Sequence, residues 1–266
     1  MSETKISLGL GEAIDKVKDT KTFSEADKSG SLIIRAINAA LSPLEKWILQ
    51  KEYNVAETKK LLEEKLQNVG IDKIVTPPSY IGVPALQAIS YCMDDEQLRD
   101  MYAELLANAM NIDTVTNVHP TYVEIIKQMS PFDATVFKEL LKTLVQPCIG
   151  ISYRNKRTSA SYPIQDIVAF VDLERFPLVP TQISLENLER LKLIDIEHSS
   201  KYSNEEPYEQ LKHSVKNIIE KFIEDNNKEF DKNSYEVVYK EYTILIRGFG
   251  QFFARACLGT DFNHIK

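Results

Sequence analysis

Apolar residues recur at helical spacing through the first half of the chain and give way to alternation in the second. Ile33, Ile37, Leu41, Leu44 and Ile48 stand four and three apart, so they share one helical face. Within that run, Ser42-Pro43-Leu44-Glu45 has the form of a capping box with proline at the first helical position. The run therefore reads as two helices meeting at Ser42, or as one helix kinked there. Asn54-Val55-Ala56-Glu57 repeats the capping pattern ahead of a charged helix whose Leu61, Leu62, Leu66 and Val69 form its apolar side, and Gly70 ends it. Thr76-Pro77-Pro78-Ser79 predicts an extended crossing, because proline lacks the amide N–H that a helix interior uses. Pro84 starts the next helix, through Tyr91, and Asp94 caps another that turns Leu98, Met101, Leu105 and Met110 inward. His119-Pro120 and Ser130-Pro131 mark two further starts. The second pairs an N-cap hydroxyl with Asp133 at the third helical position, ahead of Val136, Phe137, Leu140 and Leu144.

After Pro147 the pattern shortens. Cys148 to Tyr153 and the alternating Tyr242, Ile244 and Ile246 read as strands, and Leu193 to Ile196 as a strand start. Between them, helices are expected over Pro131 to Val145, Pro163 to Phe170 and Thr181 to Lys192. A further amphipathic helix would carry Tyr208, Leu211, Val215, Ile218 and Phe222 on one face. That order suggests a winged helix whose wing joins Ile194 to Ile246 around a long insertion. The expected fold class is mainly α, with an N-terminal multi-helix domain followed by a C-terminal winged-helix-like α+β part. The expected division is a polar N-terminal segment over 1–30, a helical domain over 31–146 and the winged-helix-like part, with a helical insertion in its wing, over 147–266. Within the first segment, Glu12 to Lys18 is a weak helix candidate and Asp27-Lys28-Ser29-Gly30 reads as a linker.

The 266 residues are 43% hydrophobic, enough to bury a core, and the formal net charge of -7 arises mostly in the first half. Nucleic-acid binding needs a concentrated basic field to release phosphate counterions, and the one basic knot, Arg154, Lys156 and Arg157, reads as a solvated loop. Cys92, Cys148 and Cys257 lie far apart without metal-ligand spacing, which points to reduced, buried thiols in a cytoplasmic protein. Met1 to Leu10 lacks the apolar run of a secretion signal. Ser31 to Leu49 is too polar to span a bilayer, which leaves contact with a membrane surface through the N-terminal helices open.

Candidate chemistry is sparse. Gln182, Asn187 and Arg190 could read bases from a recognition helix, but Glu186 and Glu189 on the same segment oppose phosphate, so a packing helix is expected. Asp94, Asp95, Glu96, Asp100 and Glu104 are explained by helix caps and solvated faces, with no histidine within a turn to complete a ligand set. His119 is expected to be a cap or a packed imidazole, not a base. No serine elbow or phosphate-cradling loop is present. The glycines of Gly248-Phe249-Gly250-Gln251-Phe252-Phe253 serve to turn the last strand into a terminal helix. No catalytic, cofactor-binding or metal-ligating residue is assigned and no cofactor is expected.

The run Leu98-Arg99-Asp100-Met101-Tyr102-Ala103-Glu104-Leu105-Leu106-Ala107-Asn108-Ala109-Met110, with His119-Pro120-Thr121-Tyr122-Val123-Glu124-Ile125-Ile126-Lys127-Gln128-Met129-Ser130-Pro131, resembles the abortive infection alpha family of bacterial proteins. Leu41-Ser42-Pro43-Leu44, Asn187-Leu188-Glu189-Arg190-Leu191-Lys192-Leu193-Ile194 and Gly248-Phe249-Gly250-Gln251-Phe252 are similar to that family's other landmarks. The likeness covers roughly residues 31 to 258. It departs at Lys192, where a glycine is more usual, and in the charged stretch Ser199 to Lys240. The resemblance implies a bacterial phage-resistance role and carries over no catalytic residue. The expected function is abortive infection through contacts with a host or phage protein, with homo-oligomerisation open and nucleic acid not expected. Arg99, Tyr102, His119 and Lys127 form the expected interaction surface. The alternatives are an enzyme whose site is assembled only in three dimensions and a winged-helix transcriptional regulator.

Overall fold

The computed structural model describes residues 25–45, 52–89, 92, 95–226, 234–260 and 262, with the side chains of 25–31, 43–45 and 52–57 excepted. The sequence expectations for residues 1–24, for Ile48, for Tyr91 and for the Asp94 cap lie outside that range. The chain divides into two compact units, one of Met1–Gln128 with Phe252–Asp261 and one of Met129–Gln251 with Phe262–Lys266.

The first unit is helical. It contains α1 (Glu25–Glu45), α2 (Glu52–Leu66), α3 (Ser79–Ile89), α4 (Glu96–Ala109) and α5 (Thr121–Lys127). Helix α4 packs against α2, α3 and α5, so it is enclosed on most sides. Its buried residues accordingly go round the helix and not along one stripe: Met101, Tyr102, Ala103, Leu105, Leu106 and Ala109 are all fully covered. Asp95 caps α4, its carboxylate accepting from the Leu98 N–H at 2.8 Å. Lys65 of α2 ties down two acids of α4, at 2.6 Å to Asp100 and 2.9 Å to Glu104. Burial lowers the Lys65 pKa, but the two carboxylates outweigh it and hold the ammonium above its ordinary value.

Two prolines behave differently from the sequence expectation. Helix α1 runs unbroken through Ser42-Pro43, and through Asp27 to Gly30, which reads as a linker in sequence. Helix α3 begins at Ser79, five residues before Pro84, with the Ile81 and Gly82 N–H groups both donating to Pro78 O. A proline inside a helix orphans the carbonyl four residues earlier. Here those carbonyls belong to Ala39 and Tyr80, both exposed, where water can replace the missing donor. Asn54 likewise lies within α2 and does not cap it.

The second unit holds the sheet. It comprises α6 (Pro131–Leu140), β1 (Val145–Asn155), β2 (Ser161–Val168), α7 (Leu178–Arg190), β3 (Asp195–Glu197), α8 (Glu206–Asp225) and β4 (Tyr235–Leu245). Helix α9 (Gly248–Leu258) follows, its first four residues grouping with this unit and the rest with the first. The four strands lie in the order β2-β1-β4-β3, all antiparallel. Ser130 caps α6 through the capping box its sequence predicts, its hydroxyl accepting from Asp133 N–H at 3.1 Å while Asp133 accepts from Ser130 N–H at 2.6 Å.

The mainly α, winged-helix-like architecture is not what forms. The fold is mixed α/β, 55% helix and 17% strand, around a four-stranded antiparallel sheet. The decisive segment is Pro163 to Phe170, expected as a helix and observed as strand β2 through Val168. Its β-branched Ile164, Ile167 and Val168 suit a pleated surface, and Pro163 is tolerated because β2 is an edge strand. The wing is replaced by an eleven-residue ladder between β1 and β4, with β3 adding only three residues to its end. Helix α8 covers one face of this sheet. Tyr208, Leu211, Val215, Ile219 and Ile223 pack with Ile149, Ile151, Tyr153 and Val168, whereas Ile218 and Phe222 point outward.

Helix α7 ends in a Schellman motif, Leu193 N–H bonding Leu188 O and Lys192 N–H bonding Glu189 O. This places Lys192 at φ 60°, the left-handed region in which a side chain is strained. A glycine at this position would carry no such strain. Lys192→Gly should raise stability by about 1 kcal/mol, read as a higher denaturation midpoint. An unchanged or lower midpoint would show that the lysine is not strained.

Candidate functional site

Three helices of the first unit frame a groove. Pro84, Gln87 and Ala88 lie three and four apart on one side of α3. Leu98 and Tyr102, four apart, come from α4, and Val123, Glu124, Ile126 and Lys127 come from α5, with Cys92 at one end. The cavity encloses about 360 Å³. Its floor is apolar and buried, made by Leu98, Tyr102, Val123 and Ile126. Its rim is polar and exposed at Gln87, Glu124 and Lys127.

Tyr102 sits wholly inside, and its hydroxyl donates to Val123 O at 3.3 Å, fixing α4 to α5. Burial first, and then the neighbouring Cys92, Glu124 and Cys257, raise the pKa of its phenol. It remains a neutral donor at physiological pH. Cys92 is half-buried, and its thiol is raised by burial and by Asp95. Among the described residues no histidine lines the groove. Such a lining suits binding of an apolar surface with a charged fringe.

The four residues expected to form one surface do not stay together. Tyr102 and Lys127 both line the groove, one as floor and one as rim. The expectation that Tyr102 is exposed is corrected: α4 is the enclosed helix, and its aromatic residue lies inward. Arg99 is half-buried and does not line the cavity. His119 is exposed before α5, where its Nδ1 accepts from Thr121 N–H at 3.2 Å and its ring lies tilted 6.0 Å from Tyr122. Pro84, Gln87, Ala88, Cys92 and Glu124 escaped the sequence reading. The helical spacing of the α3 residues was visible, but which face of α3 meets α5 was not.

The remaining polar candidates are engaged locally. On α7, Gln182 accepts from Gln165 at 2.6 Å and Asn187 donates to Asp133 at 3.0 Å, so their amides hold the second unit together. Arg154 pairs with Glu236 at 2.6 Å across the sheet, while Lys156 and Arg157 are exposed in the β1–β2 turn. A larger open depression beside α8 is lined by Glu209, Lys212, Val237 and Tyr239 among others; Lys212 bridges Glu209 and Glu241, and Lys201 also bridges Glu241. Those two lysines hold the Glu241 pKa below the ordinary carboxylate value. Among the described residues no group of three or more histidine, cysteine or acidic side chains could hold a metal ion, and no helix is long and apolar enough to cross a membrane.

Cys148 and Cys257 are fully buried, and burial pushes the Cys148 thiol up to about 12 and that of Cys257 well above its ordinary range. A raised thiol pKa means less thiolate at neutral pH and faster alkylation as pH rises. In the native protein, iodoacetamide should therefore modify Cys92 alone, slower than a free cysteine at pH 7 and faster toward pH 9. Modification of Cys148 or Cys257 without unfolding would contradict their burial.

The family match falls on the later segments of the sequence resemblance and leaves out Leu41-Ser42-Pro43-Leu44. A family model described as abortive infection alpha matches residues 50–257, which is more than half of the chain. The protein belongs to the abortive infection alpha family. No curated protein and no solved structure matches it.

Proposed function

We propose that the protein serves phage defence by binding a host or phage protein in the groove between α3, α4 and α5. Family membership supports the abortive-infection role. The observation that supports a contact role is the groove itself: a buried apolar floor with a charged rim. A protein partner would place an apolar side chain on Leu98 and Ile126 and meet Glu124 and Lys127 at the edge, the arrangement in which a few central anchors carry most of the binding energy.

The test is protection of a bacterial host measured as phage plating efficiency. Ala88→Trp would fill the groove, and Lys127→Glu would reverse a rim charge. Each should leave the helical signal intact and lower protection by about tenfold or more, the effect of losing a single anchor. Protection equal to wild type in both folded variants would rule the groove out as the contact surface. If protection survived both and vanished with His119→Ala in a folded chain, a chemical role for His119 would replace the binding role.

A further inference from the structure

The β4 strand has a second side that β3 barely uses. Antiparallel ladders alternate, each residue turning both its N–H and its C=O to one neighbour. Ile246 N–H donates to Leu144 O and Lys156 N–H donates to Ser234 O, both at 2.9 Å, at the two ends of the β1–β4 ladder. Even-numbered residues of β4 therefore face β1, and odd-numbered residues face away. On that far side β3 reaches only Thr243 to Leu245. Among the described residues no strand meets the outward backbone groups of Val237, Tyr239 and Glu241. Natural sheets usually cover, charge or pair such an edge.

We infer that this edge pairs with β4 of a second copy of the chain, antiparallel and centred on Val238, to make a two-fold dimer with a continuous sheet. The sequence of the edge is self-complementary in this one register. Centring on Val238 sets Val237 opposite the copy's Tyr239 as hydrogen-bonded pairs. It sets Glu236 opposite Lys240, twice by symmetry, as non-hydrogen-bonded pairs, where side chains stand closest. Val238 meets its own copy, a β-branched pair on the pleat. Centring on Val237 or Tyr239 instead removes both ion pairs. Centring on Glu236 or Lys240 puts like charges face to face, which is destabilising. Glu236 and Lys240 both lie on the sheet face opposite α8, and Lys240 is exposed. A two-fold contact must present one patch to itself, and opposite charges placed symmetrically about a central valine meet that condition.

The experiment is the oligomeric state of the full chain by analytical ultracentrifugation over about a hundredfold range of concentration, since association responds to mass action. The wild type should sediment at twice the monomer mass and dissociate on dilution. Lys240→Glu, which sets glutamate against Glu236, should be monomeric with an unchanged circular dichroism spectrum. Glu236→Lys, which sets lysine against Lys240, should also be monomeric. An equimolar mixture of the two variants should recover the dimer, because each then supplies the charge the other lacks. A monomeric wild type would overturn the inference and leave the edge to an extended segment of another protein. Dimers of either single variant as tight as wild type, or a mixture of two folded variants that stays monomeric, would overturn it too. If Glu236→Lys does not fold, Lys240→Glu alone decides by the loss or persistence of the dimer.

Discussion

Gly250→Ala should destabilise the chain by about 2 kcal/mol, although alanine is the better helix former by about 1 kcal/mol. Gly250 is buried in the first turn of α9, against the segment that leads into β3. A methyl group there would overlap Leu193 O and stand 3.1 Å from Ile246 Cγ2. The first of these is a backbone oxygen, held by the Schellman turn at Lys192 on one side and by β3 on the other, so it cannot swing aside as a side chain would. The steric cost of overpacking exceeds the gain in helix propensity, and the sign follows from that. Gly248→Ala, two residues earlier and exposed, serves as the control and should leave the denaturation midpoint almost unchanged. Equal midpoints for the two variants would mean that the close approach at Gly250 can relax.

Asp133→Ala should cost about 3 kcal/mol, well above the roughly 1 kcal/mol expected for Ser130→Ala. Asp133 is 4% exposed and accepts from two donors, the Ser130 N–H at 2.6 Å and the Asn187 side chain at 3.0 Å. Its loss removes the reciprocal half of the capping box and the tie from α6 to α7 together, leaving two donors unmet. Ser130→Ala deprives only the Asp133 N–H of its acceptor. Asp133→Asn should fall between, since its single amide oxygen can serve one donor well but not both. Thermal or denaturant unfolding of the three variants checks the order. Equal losses for Ser130→Ala and Asp133→Ala would show that the link to Asn187 contributes nothing.

The two changes act on positions whose importance differs in visibility. Asp133 stands three residues after Ser130, and that spacing announces a capping box in any context, because both hydrogen bonds close within one turn of chain. The Asn187 contact spans 54 residues and no local pattern hints at it. Gly250 is similar: a glycine between a strand and a helix reads as conformational freedom. Its use is instead a close approach to a carbonyl far back in the chain, within a helix where its backbone needs no special conformation.

What the amino-acid sequence determined by itself is whatever is settled within about one helical turn. The Ser130 cap and the helices that bury Met101, Leu105 and Phe137 belong to that class. Tertiary structure decided the rest. Pro163 to Val168 became a strand because β1 offered it a ladder, and Pro84 stayed inside a helix, the carbonyl it orphans belonging to the exposed Tyr80. Tyr102 went to the floor of the groove because α4 is enclosed by three helices. The groove itself depends on which faces of α3 and α5 meet, and the open edge of β4 on how few residues β3 contributes. Helical and strand periods say which residues turn inward, but only packing between distant segments says against what.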